Sequence, residues 1–447
     1  MSIIQFPTEM KWGVATASYQ IEGAVNEDGR GLSIWDTFSH TPGKVLNGDN
    51  GDIACDSYHR YEEDIALLKD LGVDVYRFSI AWPRIYPQGT GDVNEKGLAF
   101  YHKFVDTLLE NGIEPICTLY HWDLPQALQD EGGWNNRSTI DAFVEYAETM
   151  FREFKGKINY WITLNEPWCT SFLSNYLGVH APGYNDLQLA VNVSHHLLLA
   201  HGRAVQKFRE LNIEGEIGYA PNTTWIDPYS NKTEDIQACQ REIGWYIEWF
   251  MDPVFKGKYP EFLVEWFKNK GVKLPINEGD LEVIKQPIDF IGINYYSGHV
   301  GRYKEGEGLF HLEMIDLGYE RTDIDWPIYP DGFYHVLTHI TERYGKVPIY
   351  ITENGSCYNE EPVHGRVKDN NRIKYLQQHL TSLHRAIQSG VNIKGYISWS
   401  LMDNFEWAEG YSKRFGLVFI NFRTLERIKK DSFYWYKKTI ENKWFDL

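Results

Sequence analysis

Eight short runs of apolar, β-branched and aromatic residues recur along the chain, and each leads through a polar or Gly/Pro-rich loop into a helical pattern. The apolar character within each run is nearly continuous, as in parallel strands that are buried on both faces. We place the strands at residues Trp12–Ala17, Val73–Ser79, Ile113–Tyr120, Ile158–Leu164, Glu216–Ala220, Ile288–Ile293, Val347–Thr352 and Ile393–Ser398. This alternation of strand and helix predicts an α/β fold.

Amphipathic helices are predicted between these runs. From Tyr58 to Leu68 the apolar residues are spaced as on one helical face, and Gly72 is positioned to end that helix. A second helix is predicted from Asp369 to Ser389, with Asp369 as its N-cap. Both helices are long enough to cover a strand of a central sheet.

Eight strand–helix units predict a (β/α)8 TIM barrel. A minimal barrel needs about 250 residues, whereas this chain has 447, so the remainder is expected in long βα-loop insertions. Length alone would suggest about three average domains, but no Gly/Ser-rich or Pro-rich linker interrupts the sequence. We therefore predict a single catalytic barrel domain spanning residues 1–447.

Charge and composition narrow the choice of partners. Lysine and arginine number 44 against 62 acidic residues, a formal net charge of −18, which argues against nucleic acid and polybasic membrane-surface binding. The segment Met1–Pro7 lacks the features of a signal peptide, no run is apolar enough to span a bilayer, and the five cysteines form no CxxC pair. We expect a cytoplasmic protein with a small-molecule partner; a homo-oligomer stays an open alternative.

Two glutamates stand where barrel chemistry takes place, at the carboxyl ends of strands. The fourth run ends in Thr163-Leu-Asn-Glu-Pro167 and the seventh in Ile351-Thr-Glu-Asn-Gly355. Glu166 and Glu353 should therefore point across the barrel mouth toward each other. Glycoside cleavage needs such a pair, because one carboxyl protonates the leaving oxygen while the other attacks or activates water from the far face.

The two glutamates must differ in protonation to divide this work. Mutual repulsion and partial desolvation should raise the pKa of one of them. Arg77, at the end of the second strand, is placed to hold the other ionised. A lone strand-end glutamate is more often part of a structural ion pair, but two of them, each beside an asparagine, favour catalysis.

Other strand ends carry residues that suit a sugar. Amides, histidine and carboxylates hydrogen-bond hydroxyl groups, and indole faces pack on the C–H side of a pyranose. The candidates of this kind are Gln20, His121, Trp122, Asp123, Asn294, Tyr295, Tyr296, Trp399, Ser400, Asp403, Asn404, Phe405, Glu406 and Trp407. By contrast, Trp12, Trp35 and Trp161 are expected in the core.

Three further signals are weak. The histidines of segment His195–His201 lie on a predicted helix without HExxH spacing, so packing or capping explains them better than metal binding. Cys169 has no base partner in the sequence and receives no catalytic role. Lys429-Lys430 is interpreted as a solvated basic pair.

These motifs resemble glycoside hydrolase family 1, specifically its bacterial β-glucosidases. The segment Phe6–Gly23 is similar to the family's opening signature, Thr163–Pro167 to its acid/base motif and Tyr350–Gly355 to its nucleophile motif. The resemblance covers essentially the whole chain. It implies a retaining exo-acting β-glucosidase that hydrolyses cellobiose, short cello-oligosaccharides and aryl or alkyl β-glucosides without metal or organic cofactor.

The resemblance also implies roles for individual residues. Glu166 would be the general acid/base and Glu353 the nucleophile, with Arg77 keeping Glu353 charged. Contacts with the substrate are implied for Gln20, His121, Asn165, Asn294, Tyr296, Trp399, Glu406 and Trp407. The aglycone would be flanked by Trp326 together with Trp168, Leu173 and His180.

Two alternatives stay open. Family 1 also contains 6-phospho-β-glycosidases, which hold the phosphate with a serine and a lysine–tyrosine pair in the strand-8 loop. Here Glu406 would repel a phosphate, and Phe415 resembles the position of that tyrosine. From another class, a catalytically inactive sugar-binding barrel would generally lack one of the two glutamates, and both are present. The preference for glucose over galactose or fucose is not fixed by the sequence.

Overall fold

The computed structural model describes residues 3–446, and its centre is a barrel of eight parallel strands. These are β1 Lys11–Ala15, β2 Val75–Ser79, β3 Glu114–Tyr120, β4 Tyr160–Asn165, β5 Glu216–Ala220, β6 Ile291–Tyr303, β7 Ile349–Glu353 and β8 Ile393–Trp399. Consecutive strands pair from β1 to β5 and from β6 to β8, and β8 pairs with β1. The predicted (β/α)8 barrel is confirmed.

The barrel closes between β5 and β6. The amide of Asp289 donates to the Ile217 carbonyl at 2.9 Å, and the amide of Asn294 donates to the Pro221 carbonyl at 3.1 Å. Because the ladder is closed at this point, the carboxyl ends of all eight strands meet at one mouth.

β6 extends ten residues beyond its predicted end at Ile293, to Tyr303. It leaves the barrel and pairs with the outer strands Asn222–Pro228 and Leu312–Ile315. Two antiparallel pairs lie elsewhere, Ile3–Gln5 with Trp444–Asp446 and Val418–Asn421 with Glu426–Lys429.

Helices surround the barrel and fill the loops. Within residues 3–446, none of them is long and apolar enough to cross a bilayer. The α-helices span Ser18–Ile21, Ile34–Ser39, Ser57–Leu71, Trp82–Ile85, Glu95–Glu110, Gln126–Asp130, Ser138–Glu153, Leu187–Glu210, Thr233–Ile243, Trp249–Lys256, Glu261–Asn269, Asp280–Ile284, Pro330–Tyr344, Asn370–Gln388 and Asp431–Asn442. Short 3-10 or π turns span Leu46–Gly48, Gly133–Asn135, Cys169–Leu173, Gly244–Glu248 and Trp407–Glu409.

Both helices predicted in detail are present. Ser57–Leu71 ends at Gly72, whose φ of 78° is the left-handed conformation that glycine adopts without penalty. Asp369 precedes the helix Asn370–Gln388, but its carboxylate makes no capping bond within that helix. It accepts instead from Arg372 Nε at 2.9 Å and from the Ser432 amide at 2.8 Å.

The predicted core tryptophans Trp12, Trp35 and Trp161 are fully buried. The histidines of segment His195–His201 pack as expected, each with a hydrogen-bond partner on a neighbouring element. His201, for example, lies 2.7 Å from the Thr163 hydroxyl of β4.

The prediction of a solvated basic pair at Lys429-Lys430 is wrong for Lys430. Lys430 is fully buried, and its Nζ lies 2.8 Å from Asp403 Oδ1. Asp403 also accepts from Arg414 at 2.8 Å. Burial alone would raise the pKa of Asp403, but these two cations keep it below the ordinary value. The ion pair anchors the start of the loop that follows β8.

We predict that Lys430→Met destabilises the protein by about 3 kcal/mol, since it removes a partner from a fully buried carboxylate. The matched control is Lys429→Met, whose partly exposed side chain pairs with Asp70 and should cost under about 1 kcal/mol. Urea unfolding of both variants measures the difference. Equal losses of free energy would contradict the role given to the buried pair.

Candidate active site

Glu166 and Glu353 lie at the mouth of the barrel. Glu353 is the last residue of β7, and Glu166 directly follows β4. Both side chains are buried. The backbone of Glu166 takes a left-handed φ of 46° immediately before Pro167, a conformation that is costly for a residue with a Cβ and that clusters at functional sites.

A continuous chain of hydrogen bonds connects the two carboxyls. Arg77 at the centre of β2 donates from Nη1 to Glu353 Oε1 at 2.5 Å and from Nη2 to Asn165 Oδ1 at 2.6 Å. Asn294 Nδ2 donates both to Asn165 Oδ1 at 3.1 Å and to Glu166 Oε1 at 2.8 Å. Residues from β2, β4, β6 and β7 thus fix the pair in one network.

The surroundings of Glu166 and Glu353 act differently on the pKa values of the two carboxyls. Burial and the nearby charge of Glu353 raise the pKa of Glu166 to about 8, despite the opposing donors Asn294 and Cys169 and the charge of Arg77. Burial also raises the pKa of Glu353 above its ordinary value, and the contacts of Arg77 and Tyr296 with its oxygens offset part of that rise. Of the two carboxyls, Glu353 is the one that a guanidinium and a phenol hydroxyl contact directly, so it is better suited to hold the negative charge and Glu166 to hold the proton.

Two contacts to this network were not anticipated from the sequence. The Cys169 thiol donates to Glu166 Oε2 at 3.1 Å. The Thr352 hydroxyl donates to Asn294 Oδ1 at 2.6 Å. Thr352 belongs to the seventh-strand motif and could have been singled out, whereas Cys169 reaches the carboxyl only because the chain turns tightly after Pro167.

Near the two glutamates lies a polar wall built from segments after β1, β3 and β8. Gln20 Nε2 donates to Asn404 Oδ1 at 3.0 Å and to the Phe405 carbonyl at 2.9 Å. Three buried atoms of this wall, Gln20 Oε1, His121 Nδ1 and Glu406 Oε2, have no hydrogen-bond partner among residues 3–446. Buried polar atoms normally find partners, so these three are suited to the hydroxyl groups of a ligand.

Aromatic rings enclose this wall. His121 stacks against Trp399, with ring centroids 5.9 Å apart, and against Trp407 at 6.0 Å. Trp407 also contacts Trp122 at 4.6 Å and Trp35 at 4.7 Å. Burial lowers the pKa of His121 well below its ordinary value, with a further contribution from Arg77, so its ring is neutral and can both donate and accept.

The outer side of the site is more open. The Trp326 side chain is 37% exposed and lies with its ring 5.5 Å from that of Tyr296. Trp168 stacks against Tyr246 at 4.4 Å, and His180 lies 5.2 Å from Trp122. Leu173 ends the π turn Cys169–Leu173, one turn beyond Trp168.

We predict that Tyr296→Phe raises the pKa of Glu353, because it removes the hydroxyl that donates to Glu353 Oε2 at 2.6 Å. The expected shift is about one pH unit. The control is Tyr295→Phe, whose hydroxyl donates to the Tyr329 carbonyl instead. Infrared titration of the carboxyl, with Glu353→Gln as blank, measures the shift; a shift of equal size in both variants would contradict it.

Comparison with known proteins agrees with this geometry. The family model of glycosyl hydrolase family 1 matches residues 2–445. The chain is 53% identical to beta-glucosidase A of Acetivibrio thermocellus over 448 residues, which cover 100% of both chains. It is 48% identical to the 1,4-beta-D-glucan glucohydrolase of Thermotoga neapolitana over 442 residues, 98% of each chain.

Among solved structures, the chain is similar to a family 1 glycoside hydrolase of Thermotoga maritima complexed with a cyclophellitol analogue that mimics the transition state. The TM-score is 0.97 at 48% identity, and the match covers 100% of both chains. Likeness of this extent includes every strand that carries the two glutamates and their partners. The chain therefore belongs to glycosyl hydrolase family 1.

Proposed function

We propose that this protein is a retaining, exo-acting β-glucosidase that releases terminal β-D-glucosyl residues from cellobiose, short cello-oligosaccharides and aryl or alkyl β-glucosides. The observation that carries the proposal is the unlike pair of buried carboxyls, in which Arg77 contacts Glu353 and Glu166 has its pKa raised to about 8. Glu353 is thereby suited to attack the anomeric carbon, and Glu166 is suited to give a proton to the leaving oxygen.

In the first step Glu353 is the nucleophile. Its carboxylate oxygen forms a bond to the anomeric carbon, and the electron pair of the breaking C–O bond moves to the leaving oxygen. Glu166 gives its proton to that oxygen, so the aglycone departs as a neutral alcohol. The products of this step are a glucosyl ester on Glu353 and an ionised Glu166.

The same electrostatics prepares the second step. Esterification removes the charge of Glu353, which is, after burial, the largest cause of the raised pKa of Glu166. The pKa of Glu166 therefore falls, and the carboxylate can take a proton from water. As that proton is transferred, the water oxygen forms a bond to the anomeric carbon, the ester bond to Glu353 breaks, and glucose leaves with its β configuration retained.

The enclosed wall suits the glucosyl unit and the open side suits the aglycone. We assign the contacts with glucosyl hydroxyls to Gln20, His121, Asn165, Asn294, Tyr296, Glu406 and Trp407, with Trp399 as the stacking platform. Trp326, Trp168, Leu173 and His180 are assigned to the aglycone. The name 1,4-beta-D-glucan glucohydrolase carried by a relative supports short cello-oligosaccharides as substrates.

We extend the proposal to the whole protein. The site takes residues from β2, β4, β6, β7 and β8 and from the segments that follow β1 and β3, which supports a single catalytic domain over residues 1–447. Five buried free thiols support a cytoplasmic location, since disulfides are rare there. The substrate is the small-molecule partner that this assignment requires.

We predict that Glu353→Gln lowers kcat by about 10⁴-fold or more on every glucoside, because no group then forms the covalent intermediate. Glu166→Ala should lower kcat/KM by about 10²–10⁴-fold for cellobiose and far less for a dinitrophenyl glucoside, whose leaving group needs no proton. The control is Glu361→Gln, an exposed glutamate in the loop after β7. Equal losses on good and poor leaving groups would contradict the role of Glu166.

We predict that freshly released sugar is the β anomer and that glucosides are hydrolysed while their 6-phosphates are not. Burial and the charges of Glu353 and Glu166 raise the pKa of Glu406 to about 8; whether protonated or ionised, this carboxyl supplies no positive charge to a phosphate and therefore disfavours it. Proton NMR of the products from a panel of nitrophenyl glycosides, with the glucoside 6-phosphate included, measures both the anomer that is released and the preference between the glucoside and its 6-phosphate. Release of the α anomer would exclude retention, and preferred hydrolysis of the 6-phosphate would exclude the proposed substrate.

A further inference from the structure

Each oxygen of Glu166 receives a hydrogen bond from a different structural element. Asn294 on β6 donates to Oε1 at 2.8 Å, and Cys169 in the π turn Cys169–Leu173 donates to Oε2 at 3.1 Å. Cys169 is buried, and burial together with the charge of Glu166 raises the pKa of its thiol well above the ordinary value. The thiol therefore keeps its hydrogen and acts as a donor rather than as a nucleophile.

The second donor is set by a residue that does not touch Glu166. A carboxamide can face a carboxylate with either its NH₂ group or its oxygen, and only the NH₂ group is attractive. Thr352, fully buried on β7, donates its hydroxyl hydrogen to Asn294 Oδ1 at 2.6 Å. With the oxygen of the amide held in this way, Nδ2 must face Glu166 Oε1.

We propose that Cys169 and Thr352 are positioning residues for Glu166, an inference that rests on the function proposed above. The thiol acts directly on Oε2, and the threonine hydroxyl acts on Oε1 through the Asn294 amide. Both interactions favour the ionised carboxylate. They therefore set the pH at which the acid is lost in the first step and help Glu166 to stay ionised as the base of the second step.

Several other groups act on Glu166 and must stay unchanged in any test. Arg77 on β2 favours the ionised form, whereas Glu353 on β7 disfavours it. The charged or titratable groups around Glu166 are Arg77, His121, Cys169, Tyr296, Glu353 and Glu406. Cys169 and Thr352 can be replaced while the other residues of this set are kept, although Thr352 also acts on Glu353 through Asn294.

The test is the pH profile of kcat/KM for cellobiose, a substrate whose leaving group needs the acid. Its alkaline limb reports the loss of the Glu166 proton in the free enzyme. Removing a donor to the ionised form raises that pKa, so Cys169→Ala and Thr352→Val should each move the alkaline limb upward by about half a pH unit. Because Asn294 also lowers the pKa of Glu353, only Thr352→Val should move the acidic limb upward as well.

The donor-retaining variants Cys169→Ser and Thr352→Ser are the matched controls and should keep the wild-type limbs. Cys357→Ala is a further control, since the hydrogen-bond partner of this buried thiol is Asn359 Oδ1 at 3.6 Å rather than Glu166. Cys169→Val lacks the donor but fills the space, so it replaces Cys169→Ala if that variant does not fold. A purely structural role would lower kcat/KM equally at all pH values and leave both limbs in place.

Infrared titration of the Glu166 carboxyl, with Glu166→Gln as blank, repeats the test without turnover. An upward shift in Cys169→Ala and Thr352→Val, absent from the serine variants, supports the proposal. An unchanged Glu166 titration in Cys169→Ala or in Thr352→Val overturns the proposal. Equal shifts in these variants and in the corresponding serine variants overturn it as well. A wild-type protein that hydrolyses no glucoside would overturn the proposed function, whereas the infrared shifts would still report whether the two residues act on Glu166.

Discussion

The buried guanidinium of Arg77 holds the parts of the site in one arrangement. Besides Glu353 and Asn165, it donates to the Thr352 carbonyl at 3.1 Å and to the Thr118 hydroxyl at 3.1 Å. These partners lie on β3, β4 and β7, so one cation joins strands from opposite sides of the barrel. A buried charge is costly unless it is well paired, and the planar fork of donors on arginine allows every bond to form together.

The positions of the two glutamates could be predicted because barrel geometry links strand ends to the mouth. Each follows an apolar run whose length fixes which residue arrives first at the carboxyl end. The eight runs were recognisable since burial on both faces removes the polar alternation of an exposed strand. Arg77 was predictable in the same way, as a charged residue inside such a run. The position of a residue relative to an apolar run therefore predicts which strand supplies its side chain and at which end of the barrel that side chain lies.

Contacts between side chains from distant segments could not be predicted in this way. Lys430 is indistinguishable from its neighbour Lys429 in the sequence, and its burial follows from the position of Asp403, 27 residues earlier. The extension of β6 depends on pairing with the outer strands Asn222–Pro228 and Leu312–Ile315, beyond the barrel. The hydrogen bond from Cys169 depends on the dihedral angles of a π turn, for which the residues carry no recognisable signal.

The mechanism that we propose depends on keeping several carboxyls close together without ionising all of them. Glu166, Glu353 and Glu406 influence one another, and burial with mutual repulsion raises the pKa of both Glu166 and Glu406 to about 8. Arg77 contacts Glu353 alone among the three. This contact favours the negative charge on Glu353, which we propose as the nucleophile, and leaves the proton to Glu166, which we propose as the acid. In the mechanism that we propose, esterification of Glu353 removes the repulsion that, after burial, contributes most to the raised pKa of Glu166, and the same carboxyl can then act as the base.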